Sequence, residues 1–185
     1  EWGQLGYGWG GNLGYDPNIG YWVFDHSTIA SNVVGMDRMR MVAAGSATTT
    51  HSLALKDDGT VWAWGYGYFG ELGNGEFYQT GTNRPIQVSG LSGVVKIAAG
   101  DYFSVALRED GTVWAWGYNG RGSLGDGTTT WRSTPVQTVG LADVADIDSS
   151  PYHVLALKRD GTVWGWGYNA NGEFDYLDLA AGIGV

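Results

Sequence analysis

The chain has 185 residues and no cysteine, so neither disulfide bonds nor thiol chemistry contribute to it. Its 19 acidic and 10 basic residues give a formal net charge of -9, which argues against binding to nucleic acid or anionic lipid, because phosphate contacts need clustered Lys and Arg. No apolar stretch approaches the roughly 18 residues that span a membrane. The 32 glycines, 10 tryptophans and 11 tyrosines indicate an all-β chain with many turns.

An aromatic insertion marks the head of the chain. Gly14 and Gly45 are 31 residues apart. Gly73 and Gly100, which hold the same places in the next repeat of this sequence, are 27 residues apart, so the head carries an insertion of four residues. Aromatic side chains in such loops are residue types that anchor protein interfaces. The alternative is that they cover sheet edges within the same molecule. The candidate interaction residues, in this insertion and in the corresponding loops of later repeats, are Tyr15, Tyr21, Trp22, Phe24, Phe77, Tyr78 and Trp131.

Three copies of one phrase follow: "HSLALKDDGTVWAWGYG" at 51–67, "FSVALREDGTVWAWGYN" at 103–119 and "HVLALKRDGTVWGWGYN" at 153–169. Their cores start 52 and 50 residues apart, at Asp58, Asp110 and Asp160. Such periods are typical of solenoids, propellers or arrays. A side chain that recurs in each copy is most simply explained as structural. These recurring residues are Trp62, Trp64, Trp114, Trp116, Trp164, Trp166, Gly59, Gly111 and Gly161.

Each phrase predicts a β-hairpin. In the first copy, an apolar run at 52–55 and a β-branched and aromatic run at 60–64 flank Asp58 and Gly59, residues that tolerate positive φ in a tight turn. Because side chains alternate along a strand, both faces of the hairpin are apolar. That pattern suits a sheet packed between two neighbouring sheets.

Two more strands are expected in each repeat. The runs "MRMVAAG" at 39–45, "VVKIAAG" at 94–100 and "VADIDSS" at 144–150 predict a strand ahead of each hairpin. After the hairpin comes a glycine-rich loop, and then Pro85 and Pro135 lead into a fourth, edge strand.

These motifs resemble the repeat of the regulator of chromosome condensation family, and most of all its bacterial variant, as in the secreted propellers that inhibit β-lactamases. The hairpin, the Trp-x-Trp-Gly-Tyr-Asn strand end, the Gly-x-Leu-Gly-Asp-Gly loop and the Pro-Val-Gln-Val run carry the resemblance over residues 40–174. It implies a seven-bladed β-propeller whose members bind other macromolecules through loops on one face. Nucleotide exchange on a small GTPase, the founding member's activity, is not implied, because its contact loops have no match here.

The chain has fewer hairpins than a ring of about seven blades requires. Four arrangements follow: a fragment of a longer propeller, a ring shared with a second copy, a head-to-tail open assembly, or a small ring closed by head and tail together. In the open assembly, an apolar tail adds a strand to its neighbour. We divide the chain into a partial first blade (1–45), three repeats (46–174) and this tail (175–185). The candidate assembly residues are Phe174, Tyr176, Leu177, Leu179, Ile183 and Val185.

Candidate chemistry is sparse, and we predict no catalytic residue, no cofactor and no metal. His51 and His153 share one repeat position that Phe103 fills in the middle copy, which favours packing over catalysis. His26 has no visible nucleophile as a partner. The segment "LGDGTTT" at 124–130 lacks the ligand spacing of a calcium loop, so turn chemistry explains it better.

The predicted function is therefore that of a non-enzymatic interaction scaffold, extracellular or at the cell surface. Its expected partner is protein, including copies of itself, with no nucleic acid and no membrane span. A structural subunit of an extracellular polymer is the second interpretation. A carbohydrate-binding module, with sugars stacked on exposed aromatic rings, is the third.

Overall fold

The computed structural model describes residues 14–16, 21–23, 32–46, 50–170 and 172. All regular structure in these residues is β-strand, as the repeat pattern predicts. No described helix is long and apolar enough to cross a membrane. The strands are β1 (Gly14–Asp16), β2 (Tyr21–Val23), β3 (Met39–Ala44), β4 (His51–Lys56), β5 (Val61–Gly67), β6 (Gln79–Gln87), β7 (Val94–Ala99), β8 (Phe103–Arg108), β9 (Val113–Gly117), β10 (Arg132–Gln137), β11 (Val144–Ser149), β12 (His153–Lys158) and β13 (Val163–Gly167).

The strands form antiparallel sheets in chain order. We call β3-β4-β5-β6 the first blade, β7-β8-β9-β10 the second blade and β11-β12-β13 the third blade, and β1 pairs with β2 separately. The strands predicted ahead of each hairpin are confirmed as β3, β7 and β11, and these three lie beside one another. The three blades therefore stack side by side in an open arc.

The hairpin turn explains why Asp-Gly-Thr-Val-Trp recurs. Asp58 Oδ1 accepts hydrogen bonds from the backbone N–H of Thr60 at 3.0 Å and from its hydroxyl at 2.6 Å. The Thr60 hydroxyl in turn accepts the indole N–H of Trp62 at 3.3 Å. Only Gly59 takes a positive φ, of 79°, so the turn is a three-residue loop and not the two-residue turn that Asp58 and Gly59 suggest. The other two copies repeat these bonds.

The fourth strand begins earlier than the sequence predicts. Pro85 and Pro135 lie inside β6 and β10 instead of ahead of them. Both strands show a shift of register against the hairpin just before or at the proline. A residue without a backbone N–H is tolerated there, because these strands lie at the edge of the sheet and the ladder is already interrupted.

The strand register creates two distinct apolar faces on every blade. In the first blade, Leu53 pairs with Ala63 and Leu55 with Val61, and we call the side on which these residues lie the Leu–Val face. The opposite side, which we call the Trp face, carries Ala54, Trp62 and Trp64. The Leu–Val face of the first blade packs on the Trp face of the second, and the second blade packs on the third in the same way. Blades are therefore joined by one repeated, directional contact.

Hydrogen bonds reinforce the contact at the hairpin turns. The carbonyl of Gly59 accepts the N–H of Val94 at 3.2 Å, and that of Gly111 accepts the N–H of Val144 at 3.1 Å. Each turn thus holds the first strand of the following blade. A Cβ on Gly111 would lie 3.2 Å from the Cα of Asp143, so the close approach favours glycine at this position.

Candidate interaction surface

In the second and third blades, the indole of the second tryptophan of Trp-x-Trp is anchored on the preceding blade. The carbonyl oxygen of Glu71 accepts the Trp116 indole N–H at 2.8 Å, and that of Ser123 accepts the Trp166 indole N–H at 3.0 Å. Glu71 and Ser123 occupy the same position in the glycine-rich loops of successive repeats. The recurring tryptophans are therefore structural contacts between blades. The loops that follow the hairpins remain as candidates for an interaction surface.

That surface is aromatic. The rings of the first and second blades form a continuous network in which neighbouring centroids lie 4.8 to 6.4 Å apart, most of them edge to face. Edge-to-face packing is the favoured geometry for aromatic side chains. We call this network the aromatic edge, and its members are Tyr66, Tyr68, Phe69, Phe77, Tyr78, Tyr102, Tyr118 and Trp131.

One loop position docks each blade on the next. Phe69 packs edge-on against Tyr102 and Tyr118 of the second blade, with centroids 5.0 and 5.2 Å away. The equivalent residue of the second repeat is Arg121, whose guanidinium carbon lies 4.4 Å from the ring centroids of both Tyr152 and Tyr168. An aromatic ring and a guanidinium therefore fill the same kind of tyrosine pair.

Three of the predicted interaction residues belong to the aromatic edge. Trp131 is partly buried against Phe69 and Tyr118, which is a contact within the molecule. Phe77 and Tyr78 are exposed, and Tyr78 adopts a φ of 60°, unusual for a residue with a side chain.

The structure describes no side chains at the remaining predicted sites. Tyr15, Tyr21 and Trp22 lie on the β1-β2 hairpin, for which the structure describes the strands alone. Phe24 and His26 lie outside the described residues, as do the candidate assembly residues of the tail, from Phe174 to Val185. Their roles stay predictions, and so do the domain boundaries drawn around them.

The sequence reasoning missed Tyr68, Phe69, Tyr102, Tyr118 and Arg121. A signal for part of this set was present, because a tyrosine follows Trp-x-Trp-Gly in every copy and another stands just ahead of the hairpin in the last two. No pattern in the sequence shows that residues 33 and 49 positions apart meet in one network, since that follows from stacking the blades.

The third blade has an open Leu–Val face. Leu157 is 41% exposed and Val163 66%, whereas Leu107 and Val113, their equivalents in the second blade, are buried. The first blade's Leu55 and Val61 are buried too, so the exposed pair differs from both earlier copies. We call Leu157 and Val163, which pair with each other, together with Leu155 on the same face of β12, the trailing face.

Two titratable groups lie buried between the first and second blades. Ser104 donates its hydroxyl hydrogen to the Glu71 carbonyl at 2.9 Å and contacts His51 Nε2 at 2.7 Å, so the imidazole carries its hydrogen on Nε2. Burial lowers the pKa of His51 to about 4 and raises the pKa of the Glu71 carboxyl to about 8. Both groups are therefore neutral near pH 7.

The Glu71 carboxyl is only half satisfied. Its Oε2 accepts the backbone N–H of Phe69 at 2.8 Å, while Oε1 has no hydrogen-bond partner within the described part of the chain. Nδ1 of His51 is likewise buried and unpartnered among those residues. These groups lie at the blade interface, and the Ser104 hydroxyl beside His51 is itself buried and donates to a backbone carbonyl, which is a structural arrangement.

The loop at 124–130 satisfies its own carboxylate. Asp126 accepts hydrogen bonds from Asn119 at 3.0 Å and from the backbone and hydroxyl of Thr128 at 3.0 and 2.7 Å, and it pairs with Arg132 at 2.8 Å. Burial raises the pKa of Asp126, but the bonds from Thr128 and Arg132 outweigh it and leave the pKa below its usual value. This is turn chemistry, as expected. The described residues contain no group of three or more His, Asp or Glu able to hold a metal ion.

Comparisons with known proteins agree with the repeat pattern. One model of the regulator of chromosome condensation (RCC1) repeat matches residues 58–107 and 110–157, and a second matches 42–71, 94–123 and 144–173. The human E3 ubiquitin-protein ligase HERC2 is 43% identical over 74 residues, which are 39% of this chain and 2% of HERC2. The mitochondrial RCC1 domain-containing protein RUG3 of Arabidopsis thaliana is 34% identical over 113 residues, 59% of this chain and 24% of RUG3.

Solved structures show the same fold. Yeast RCC1 (Prp20), solved bound to Kap60, superposes with a TM-score of 0.66 at 21% identity, over 77% of this chain and 35% of the yeast chain. The chain thus spans a small part of each of these relatives, and the likeness to the yeast protein concerns the fold alone. It confirms the prediction of β-propeller blades.

Proposed function

Because the chain belongs to the regulator of chromosome condensation repeat family, we propose that it is a non-enzymatic scaffold for protein–protein interaction. Its propeller blades supply surfaces, and the described residues hold no group of three or more His, Asp or Glu that could bind a metal ion. Yeast Prp20, which shares the fold, is itself seen bound to a protein, Kap60. An extracellular or cell-surface location is part of the proposal and stays a prediction from the resemblance to secreted propellers.

The observation that carries this proposal is the trailing face of the third blade. Leu157 and Val163 lie exposed at positions that are buried in both earlier blades, and exposed apolar surface of this kind marks an interaction site. Within the chain, a Leu–Val face is covered each time by the Trp face of another blade. We therefore propose that the Trp face of a further blade covers it, supplied by a second copy or by the rest of a longer chain.

Association between copies is tested by substituting a charge on the trailing face. Val163→Glu places a carboxylate where a partner blade would bury it, at a site exposed enough that the fold tolerates it. We expect light scattering coupled to size exclusion to show a multimer for the unmodified chain and a monomer for this variant. Val139→Glu is the matched control, because Val139 is exposed in the loop after β10 and belongs to neither blade face.

The mass measured by light scattering distinguishes a shared ring from a head-to-tail polymer. A discrete dimer corresponds to a shared ring, and a mass that grows with concentration corresponds to the head-to-tail polymer, the second candidate, which uses the same face. A chain that stays monomeric at every concentration contradicts association between copies, and so does a multimer that both glutamate variants leave intact.

A further inference from the structure

Among the described residues, three pairs of tyrosines meet nearly at right angles. Tyr102 and Tyr118 lie 6.4 Å apart with an interplanar angle of 73°, and Tyr152 and Tyr168 lie 6.1 Å apart at 74°. The third pair, Tyr68 and Tyr78, lies 5.1 Å apart at 79°. The three pairs therefore form corners of similar shape.

The first two corners are filled from the preceding blade. Phe69 contacts both rings of the Tyr102–Tyr118 corner. The Arg121 guanidinium is placed symmetrically over the Tyr152–Tyr168 corner, 4.4 Å from each centroid. The second arrangement shows that a corner of this geometry accepts a guanidinium.

The Tyr68–Tyr78 corner is open. The two residues are 39% and 65% exposed, and no cationic side chain of the described residues lies over either ring. Phe77 contacts Tyr78, while Phe69 packs against Tyr68 and Tyr66 stacks on Tyr68 at 6.2 Å, so each of these rings contacts only one side of the corner. This corner has the shape of the other two without their occupant.

Tyr78, which forms one side of this open corner, has a strained backbone conformation. Tyr78 has a φ of 60°, in the region that disfavours a side chain, and its N–H donates to the Tyr68 carbonyl at 2.8 Å. Such strained conformations cluster at ligand-binding positions. Glycine adopts this φ without strain, so replacing Tyr78 by glycine removes the ring and relaxes the backbone.

We infer that the Tyr68–Tyr78 corner binds an arginine side chain of a protein partner, an inference that rests on the proposed scaffold function. Arginine is the cation found most often on aromatic faces, and the chain itself places one on the Tyr152–Tyr168 corner, which has a similar interplanar angle although it lies at a different position of the repeat. The net charge of -9 favours a basic partner over an acidic one. Glu76, exposed two residues before Tyr78, adds a carboxylate to the same loop.

The test compares two peptides of equal charge. Hexa-arginine and hexalysine peptides are titrated into the full chain at about 0.15 M salt, where long-range attraction is screened, and backbone amide resonances are followed by NMR. We expect hexa-arginine to bind more tightly than hexalysine, and to shift the amides of Tyr68 and of residues 76–79. Tyr78→Gly removes the ring while easing the backbone, so this variant keeps its fold. It is expected to lower the hexa-arginine affinity about two- to fivefold.

Tyr168→Ala is the matched control, since it removes a ring from a corner that Arg121 already fills. The affinity for hexa-arginine is expected to stay unchanged in this variant. Equal affinities for the two peptides overturn the inference, as does an affinity that Tyr78→Gly leaves intact. If cellohexaose shifts the amides of residues 76–79 and hexa-arginine does not, the corner is a saccharide site and the inference is also wrong. Each of these results leaves the light-scattering test of Val163→Glu standing, so the two proposals fail separately.

Discussion

Glu71 and His51 lie buried between the first and second blades, where Ser104 bonds to the Glu71 backbone carbonyl and to the His51 imidazole, and the carboxyl and the imidazole are both neutral near pH 7. Each is neutral because burial disfavours its charged form, so the two pKa values move in opposite directions, up for Glu71 and down for His51. Folding therefore depends on pH through both groups. The sequence did not indicate that the Glu71 carboxyl is buried. The second copy has Ser123 at the same position, and the residue follows a glycine, as residues of exposed loops often do.

We expect the free energy of unfolding to fall as the pH rises above about 6.5. Folded Glu71 keeps its proton up to a pKa of about 8, while the unfolded carboxyl loses it near 4.5, so stability present below pH 4.5 is lost progressively as the pH rises to 8. His51 acts in the opposite sense between its unfolded pKa of 6.5 and its folded pKa of about 4. The two effects offset each other between pH 4.5 and 6.5.

Above that plateau only the Glu71 effect remains, which amounts to about 2 kcal/mol between pH 6.5 and 8. Urea unfolding at a series of pH values measures it. Glu71→Gln mimics the protonated carboxyl and cannot ionise, so this variant is expected to show a flatter profile above pH 6.5 and a higher stability than the unmodified chain at pH 8. A decline of the same size in both proteins would show that other groups cause it.

At the scale of the structural element, the hairpin was predictable and the loop network was not. Alternation of apolar residues indicated β4 and β5 with two apolar faces, because period-2 patterning reports directly on which side of a sheet a residue lies. The start of β6 was missed, since a proline reads locally as a strand boundary and only the interrupted register of the sheet tolerates it inside. Tyr68 and Tyr78 are ten residues apart in an irregular loop, and no sequence period reports on such a contact.

Two hairpin glycines allow the free-energy cost of a positive φ to be measured separately from the cost of a close contact with the next blade. Gly111 and Gly161 have φ values of 80° and 86°, but a Cβ would meet the Asp143 backbone at 3.2 Å in the first case and nothing within 4 Å in the second. Gly111→Ala and Gly161→Ala should both lose about 1–2 kcal/mol because alanine disfavours this φ.

We expect Gly111→Ala to lose more than Gly161→Ala, since its methyl group also presses on the first strand of the third blade. The difference, measured by urea unfolding of both variants, reports the tightness of the turn against the next blade. Equal losses would mean that the backbone at Asp143 moves aside at no cost in free energy. Glycine would then be required at residue 111 only for its positive φ.

At the scale of the whole molecule, one interface is used repeatedly. The Leu–Val face of one blade meets the Trp face of the next, the indole bonds to a loop carbonyl, and a residue at position 69 or 121 docks on a tyrosine pair. Because each part recurs with the repeat, a blade that presents a free Trp face would meet the trailing face with the same complementarity. The propeller blades were predictable from the period of the sequence. What covers Leu157 and Val163 was not, because all three copies read alike there and only burial distinguishes the last one.

Amide hydrogen exchange of the unmodified chain, measured by mass spectrometry at low and high protein concentration, tests most directly whether a blade of another copy covers the trailing face. We expect residues 153–158 and 163–167, which form β12 and β13, to become more protected as concentration rises, while β8 and β9 of the second blade stay equally protected throughout. If β12 and β13 exchange at the same rate at both concentrations, no second copy binds there, and the trailing face is not an interface between copies of this chain.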